Sequence, residues 1–240
     1  MTFVSTILWI SLDKLLKCVR GQEIVEIRHE KGFGDEPESF LDKYSSVLRL
    51  YNTISGCISC IFLVITFLVY IFVPELNNLH GKIVISNVCS IFFLTAYLLL
   101  VYNFSQLLPR LAYKIAGYCG YFFTISMFSW MTIMSFDLCW TFMRAKVPRR
   151  GSALVKFVIY SAVAWGSSAA TTLWIILADL IMEDQNDNQR TFITKPNVGK
   201  EKCFLQDDAQ ELFLHLPSMI LMMINIMFFF VTITTLYRLL

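Results

Sequence analysis

Charge is scarce in this chain of 240 amino acids: Asp, Glu, Lys and Arg together make up 16% of it, where a soluble globular domain carries about 25%. A polypeptide so poor in charge is solvated by lipid rather than by water. Glycine (10) and proline (6) are also few, which excludes collagen and Pro/Gly-rich disorder. No run of basic residues exceeds two and the formal net charge is +2, so nucleic acid is not an expected partner. The seven cysteines, Cys18, Cys57, Cys60, Cys89, Cys119, Cys139 and Cys203, are too scattered for a disulfide scaffold, and a bridge or two is the most to expect. His29, His80 and His215 fall on the N-terminal tail, in the inner turn after the first apolar stretch and at the outer end of the fifth, so no histidine cluster can hold a metal. Neither a phosphate-binding Gly-rich loop nor a nucleophile elbow occurs. No enzyme, cofactor or metal is expected from these absences.

What the chain has in abundance is apolar length. Residues of the set AVILMFWYC make up 56%, and there are 21 Phe. Five stretches are free of charge: 25 residues between Arg49 and Glu75, 27 between Lys82 and Arg110, 22 between Lys114 and Asp137, 22 between Lys156 and Asp179, and 26 between Glu211 and Arg238. About 20 apolar residues at 1.5 Å each cross a hydrocarbon core of roughly 30 Å. The spacing therefore predicts an all-α membrane protein with five transmembrane helices near residues 51–73, 83–104, 115–142, 155–178 and 212–237. These segments are apolar all round, whereas the strands of a membrane barrel alternate in polarity. The transmembrane domain then occupies residues 51–240, behind a mixed-charge tail of residues 1–50.

Orientation follows from the connections. The third, Met143 to Ala153, carries Arg144, Lys146, Arg149 and Arg150, and the positive-inside rule places it in the cytoplasm. By parity the turn from Pro74 to Lys82 is also inside, while the N-terminus, the segment from Ser105 to Lys114 and the long fourth connection from Ile181 to Glu211 are outside. The tail opposes this, with Lys14, Lys17, Arg20, Arg28, Lys31, Lys43 and Arg49. Long tails translocate with less regard to charge, so the short basic loop is given more weight. Residues 2–12 are apolar but lack a charged flank and a small-residue cleavage site, so they are not read as a signal peptide.

Several residues stand out within this frame. Cys119 and Cys203 are the two cysteines on the oxidising side among helices two to five; a bridge is expected, with two free thiols as the alternative. Cys119 is expected about one and a half turns from the outer end of helix three. Cys57 and Cys60 share a helix face and read as small buried thiols rather than ligands. Asp137, near the inner end of helix three, is either an intramembrane charge facing the bundle or a hydrated interfacial carboxylate. Ala162, Gly166 and Ala170 recur every four residues and form a smooth strip suited to close helix approach. Pro217, in the first turns of helix five, is tolerated there and also capable of a kink.

Five segments together resemble the Methuselah-like receptors, an insect branch related to the secretin-like G-protein-coupled receptors. They are PELNNLHGK (Pro74 to Lys82), FSWMTIMSFDLCWTF (Phe128 to Phe142), AWG (Ala164 to Gly166), PNVGKEKCF (Pro196 to Phe204) and LPSMILMMINIMFFFVT (Leu216 to Thr232). Their order matches the family's first inner loop, third helix, fourth helix, second outer loop and fifth helix, over about residues 50–240. The third-helix segment is the most specific of the five.

The resemblance implies helices one to five of a seven-helix receptor. Such a receptor senses an extracellular ligand, a peptide among the candidates, and in full-length form activates a heterotrimeric G protein. It matches Cys119 and Cys203 to the family disulfide, and Asn77 and His80, with Asp137, to an inner polar network. Trp130 matches the helix-three tryptophan; Trp165, Gly166, Pro217 and Asn225 match positions that pack the bundle. Where secretin-like receptors carry a Glu four residues after the tryptophan, this chain has Met134. The tail holds only Cys18 against a cysteine-rich family ectodomain, and Leu240 closely follows helix five. A receptor fragment is the expected account, and a short isoform modulating a full-length partner is another. The expected location is the plasma membrane for a complete receptor and the endoplasmic reticulum for a retained fragment. A small polytopic transporter or channel subunit is the alternative class, but it would need polar groups at the bilayer midplane.

Overall fold

The computed structural model describes residues 38–104, 109–144, 152–183 and 211–239. Every regular element among them is a helix. Helix α1 spans Glu38–Phe72, α2 Leu79–Phe104, α3 Arg110–Met143, α4 Ala153–Glu183 and α5 Leu216–Leu239, the last preceded by a π-type turn over Glu211–His215. Five helical segments are long and apolar enough to cross a membrane: Arg49–Phe72, Leu79–Val101, Lys114–Met143, Ala153–Ile181 and Leu212–Arg238, the last running from the π-type turn into α5. Helical geometry is what lipid demands, because each backbone N–H must find its carbonyl within the same segment. Hydroxyls obey the same constraint. Thr66, Thr95, Thr124, Thr172 and Thr232 each donate to the carbonyl four residues back, at 2.7–2.9 Å.

The helices are longer than the uncharged stretches. Helix α1 begins at Glu38 rather than near 51, and α3 at Arg110 rather than 115. A charge ends the stretch that lipid can solvate, but it does not end the backbone ladder, which continues into the interface. Cys119 therefore lies nine residues past Arg110, where the helix begins, but five past Lys114, where the membrane-spanning segment begins, and so about one and a half turns from that segment's end.

The chain separates into two units, residues 1–58 and 59–240. In the first, the described residues 38–58 belong to α1, and Thr53 donates to the Arg49 carbonyl at 2.9 Å. The second holds the bundle, with α3 at its centre against α2, α4 and α5. Seven consecutive residues, Thr124 to Trp130, are all buried. A helix packed on one face cannot bury seven in a row, so this stretch of α3 is enclosed on every side.

The reversal from α1 to α2 is built by PELNNLHGK. Pro74 opens a 3₁₀ turn, where its missing N–H costs nothing, and the Asn77 N–H donates to the Pro74 carbonyl at 3.1 Å. Asn78 then caps α2, its Oδ1 accepting the Gly81 N–H at 2.8 Å. A side chain at Gly81 would overlap the Leu76 carbonyl oxygen, so the turn closes only around glycine there.

Two expectations about packing are corrected. Ala162, Gly166 and Ala170 are exposed, and nothing lies within 4 Å of where a Cβ would stand on Gly166. The buried face of α4 is instead Ala164, Ser168, Thr172, Ile175 and Asp179, the neighbouring stripe. Both stripes are small at the level of Ala164 and Ser168, and helical phase rather than residue size decides which one meets α3. Cys57 is exposed and Cys60 half-buried, so neither thiol sits in the packed interior.

Candidate functional site

Polar contacts within the bundle fall at three levels. At the end of the bundle where α3 begins and α4 finishes, Asp179 is only 5% exposed. Its Oδ2 accepts both the Lys114 ammonium at 2.9 Å and the Tyr118 hydroxyl at 2.7 Å. A buried carboxylate must be paired and hydrogen-bonded to persist, and one oxygen here receives both. In the sequence Lys114 and Asp179 stand out only as the charges bounding two apolar stretches. The signal was present nonetheless: opposite charges at the same end of two antiparallel helices.

One turn deeper, Pro217 explains the start of α5. Without an N–H it cannot bond the carbonyl four residues back, which is that of Phe213. That carbonyl lies in the π-type turn and accepts the buried Tyr121 hydroxyl at 2.9 Å instead. Tyr121 also packs with Ile125, Ile175 and Leu214, so one side chain satisfies the vacated acceptor and fills the space between α3, α4 and α5. From here α3 and α5 run in step. Tyr121 meets Phe213, the Asn225 Nδ2 donates to Thr132 Oγ1 at 3.0 Å, and the Phe136 and Phe228 rings lie 5.6 Å apart. The nearly constant offset means that the helices are parallel and share one register across the bundle.

The middle level is aromatic, with a thin polar seam. Trp130 is fully buried; its ring stacks with Phe157 at 6.3 Å and meets Trp165 edge-on at 5.8 Å. Trp165 stacks on Phe122 at 5.7 Å, tying α4 to α3 a second time. Hydroxyl pairs join the helices beside these rings, Ser90 with Ser126 at 3.4 Å and Ser129 with Ser167 at 3.3 Å. Pro217 and Asn225 are half-buried.

At the opposite end, Asp137 is 6% exposed and accepts the Tyr160 hydroxyl at 3.3 Å. Arg144 closes α3 with its guanidinium 4.2 Å from the Trp140 ring centroid. The structure does not gather Asn77, His80 and Asp137. Asn77 is exposed in the α1–α2 turn and His80 is half-buried, and among the described residues no hydrogen bond links either side chain to Asp137. Asp137 turns toward α4 and Tyr160, which the sequence reading did not single out. Cys119 is exposed on α3 with no disulfide partner among the described residues, and Cys203 lies outside them.

Comparison with known proteins gives a consistent match. The family model described as "7 transmembrane receptor (Secretin family)" covers residues 45–240. The G-protein coupled receptor Mth of Drosophila melanogaster is 34% identical over 179 residues, covering 72% of this chain and 33% of that protein. The Mth of Drosophila yakuba is 31% identical over 188 residues, 77% of this chain and 34% of its own length. The probable G-protein coupled receptor Mth-like 6 of Drosophila melanogaster is 29% identical over 180 residues, 74% of this chain and 36% of its own length. The chain thus spans about a third of the length of the curated relatives it matches.

Proposed function

The chain belongs to the secretin family of seven-transmembrane receptors, and from that premise we propose that it supplies helices one to five of a Methuselah-like receptor. That receptor senses an extracellular ligand and couples to a heterotrimeric G protein. The observation that carries the reading is the reach of the family match, which takes in all five membrane-spanning segments in order. In the proposed orientation Lys114, Tyr118 and Asp179 lie at the outer, ligand-facing end. Asp137, Tyr160 and Arg144 lie at the inner, G-protein-facing end. Cys119 and Cys203 are proposed to form a disulfide that ties the fourth connection to α3.

Activation of this kind works by rigid movement of inner helix ends between two packed states, which requires one group of helices to move against another. The tightly registered set α3, α4 and α5 supplies a stationary wall. Residues 1–240 expressed alone are therefore expected to be retained in the endoplasmic reticulum and to leave G protein inactive. The test measures nucleotide exchange on purified heterotrimeric G protein in membranes holding residues 1–240, a second polypeptide carrying the remaining two helices of a Methuselah-type relative, or both. Exchange above background only when both are present supports the proposal. Exchange by residues 1–240 alone, or none from a complex shown to have assembled, overturns it.

A further inference from the structure

Two buried polar atoms of opposite sense are left without a partner at the contact of α2 and α3: the side-chain oxygen Oδ1 of Asn87 and the indole Nε1–H of Trp130. Asn87 is 9% exposed and Trp130 0%. They lie at one level of the bundle. Val84, one turn before Asn87 at i−3, packs in one cluster with Val88, Trp130 and Ile133. The Ser90–Ser126 hydroxyl contact sets the antiparallel register, and stepping inward three residues on α2 and four on α3 arrives at Asn87 and Trp130. The register thus places an acceptor on α2 and a donor on α3 at one level of the bundle, and neither has a hydrogen-bond partner of its own.

We propose that one water molecule is bound between α2 and α3, accepting the Trp130 Nε1–H and donating to Asn87 Oδ1. Its second hydrogen turns toward the lone pairs of the adjacent Ser90 and Ser126 hydroxyls. Water fits the chemistry, because a site with a donor, an acceptor and a hydroxyl pair supplies the two to four polar contacts that a buried water needs. Neither a lipid headgroup nor a sterol hydroxyl can reach it, since Trp130 has no exposed surface. The water gives the α2–α3 contact directional bonds in a region where lipid offers no hydrophobic drive for helix association. It therefore pins the register of α2 on the central helix.

The test uses the full chain in nanodiscs with ¹⁵N-labelled tryptophan. The indole proton of Trp130 is assigned by its loss in Trp130→Phe or, should that variant not fold, by elimination with Trp→Phe at Trp9, Trp140, Trp165 and Trp174. A cross-peak between that proton and water is expected, and it should disappear in Asn87→Leu. In thermal unfolding, Asn87→Leu and Trp130→Phe should each lower the midpoint, and the double variant should lose less than the sum of the two. Absence of the water cross-peak in the unaltered protein, or strictly additive midpoint losses, overturns the proposal.

Discussion

Asp179 shows how one side chain can lock two helices, because its charge is tolerable only while Lys114 and Tyr118 hold it. Removing one partner of a buried pair costs about 3–5 kcal/mol when both charges are fully enclosed. Lys114 is 26% exposed, so water reaches its end of the pair, and Lys114→Met is expected to cost about 2 kcal/mol. Replacing both, Lys114→Met with Asp179→Leu, removes the stranded charge and should recover most of that loss. Thermal midpoints of the three variants in detergent check this, and a double variant as unstable as the sum of the singles would contradict it. Tyr121 makes a parallel case with a neutral partner. Tyr121→Phe leaves the Phe213 carbonyl unsatisfied and should cost about 1–3 kcal/mol. In a Pro217→Ala background residue 217 regains an N–H, so the same substitution should cost distinctly less. Equal losses in the two backgrounds would mean that the hydroxyl does not answer the proline.

Among elements, the helix contacts make three glycines unequal. Gly81→Ala drives a methyl into the Leu76 backbone carbonyl, which cannot yield without reopening the α1–α2 turn. Gly120→Ala drives one into the Tyr97 ring, which can tilt, at an overpacking cost of about 1–3 kcal/mol. Gly166→Ala meets nothing and should stabilise α4 by up to about 1 kcal/mol through helix propensity alone. The expected order of thermal midpoints is therefore Gly166→Ala above the unaltered chain, then Gly120→Ala, then Gly81→Ala; a loss at Gly166 would show that its strip contacts something in the membrane. The same helices mark what the sequence could disclose. Five spans were legible because a charge in hydrocarbon is costly enough to leave long gaps between charged residues. The helix ends were not, because hydrogen-bonded backbone continues through the interface where charge is free. The rotation of α4 was equally hidden: Ala162, Gly166 and Ala170 form a smaller stripe than Ala164, Ser168 and Thr172, yet the second is buried. Asp137 was visible as an anomaly of composition. Its pairing with Tyr160 depended on that same rotation and could not be read from spacing.

For the whole molecule, the side of the membrane on which each end lies decides what both polar ends can do. The basic residues Arg144, Lys146, Arg149 and Arg150 sit in one short connection, and translocating them is disfavoured while they remain close to the bilayer. With that connection inside, the antiparallel run of five helices sends the Lys114–Asp179 end outward and the Asp137–Tyr160 end inward. Cys203 then lies in an oxidising compartment, where a bridge to Cys119 can form and persist. Such a bridge requires a Cα separation of about 4.4–6.8 Å. Cys119 is exposed on its helix, so its thiol is open to such a bridge. Orientation and disulfide are thus linked, and one pair of measurements addresses both. Cysteine introduced at Asn188 should be labelled by an impermeant maleimide on intact cells, and cysteine at Ser152 only after permeabilisation. Non-reducing mass spectrometry of the same material should recover a peptide joining Cys119 to Cys203. The reverse labelling pattern would place the Asp179 cluster in the cytoplasm and remove the compartment that the bridge needs. Correct labelling with both thiols free would leave the orientation standing and overturn the bridge.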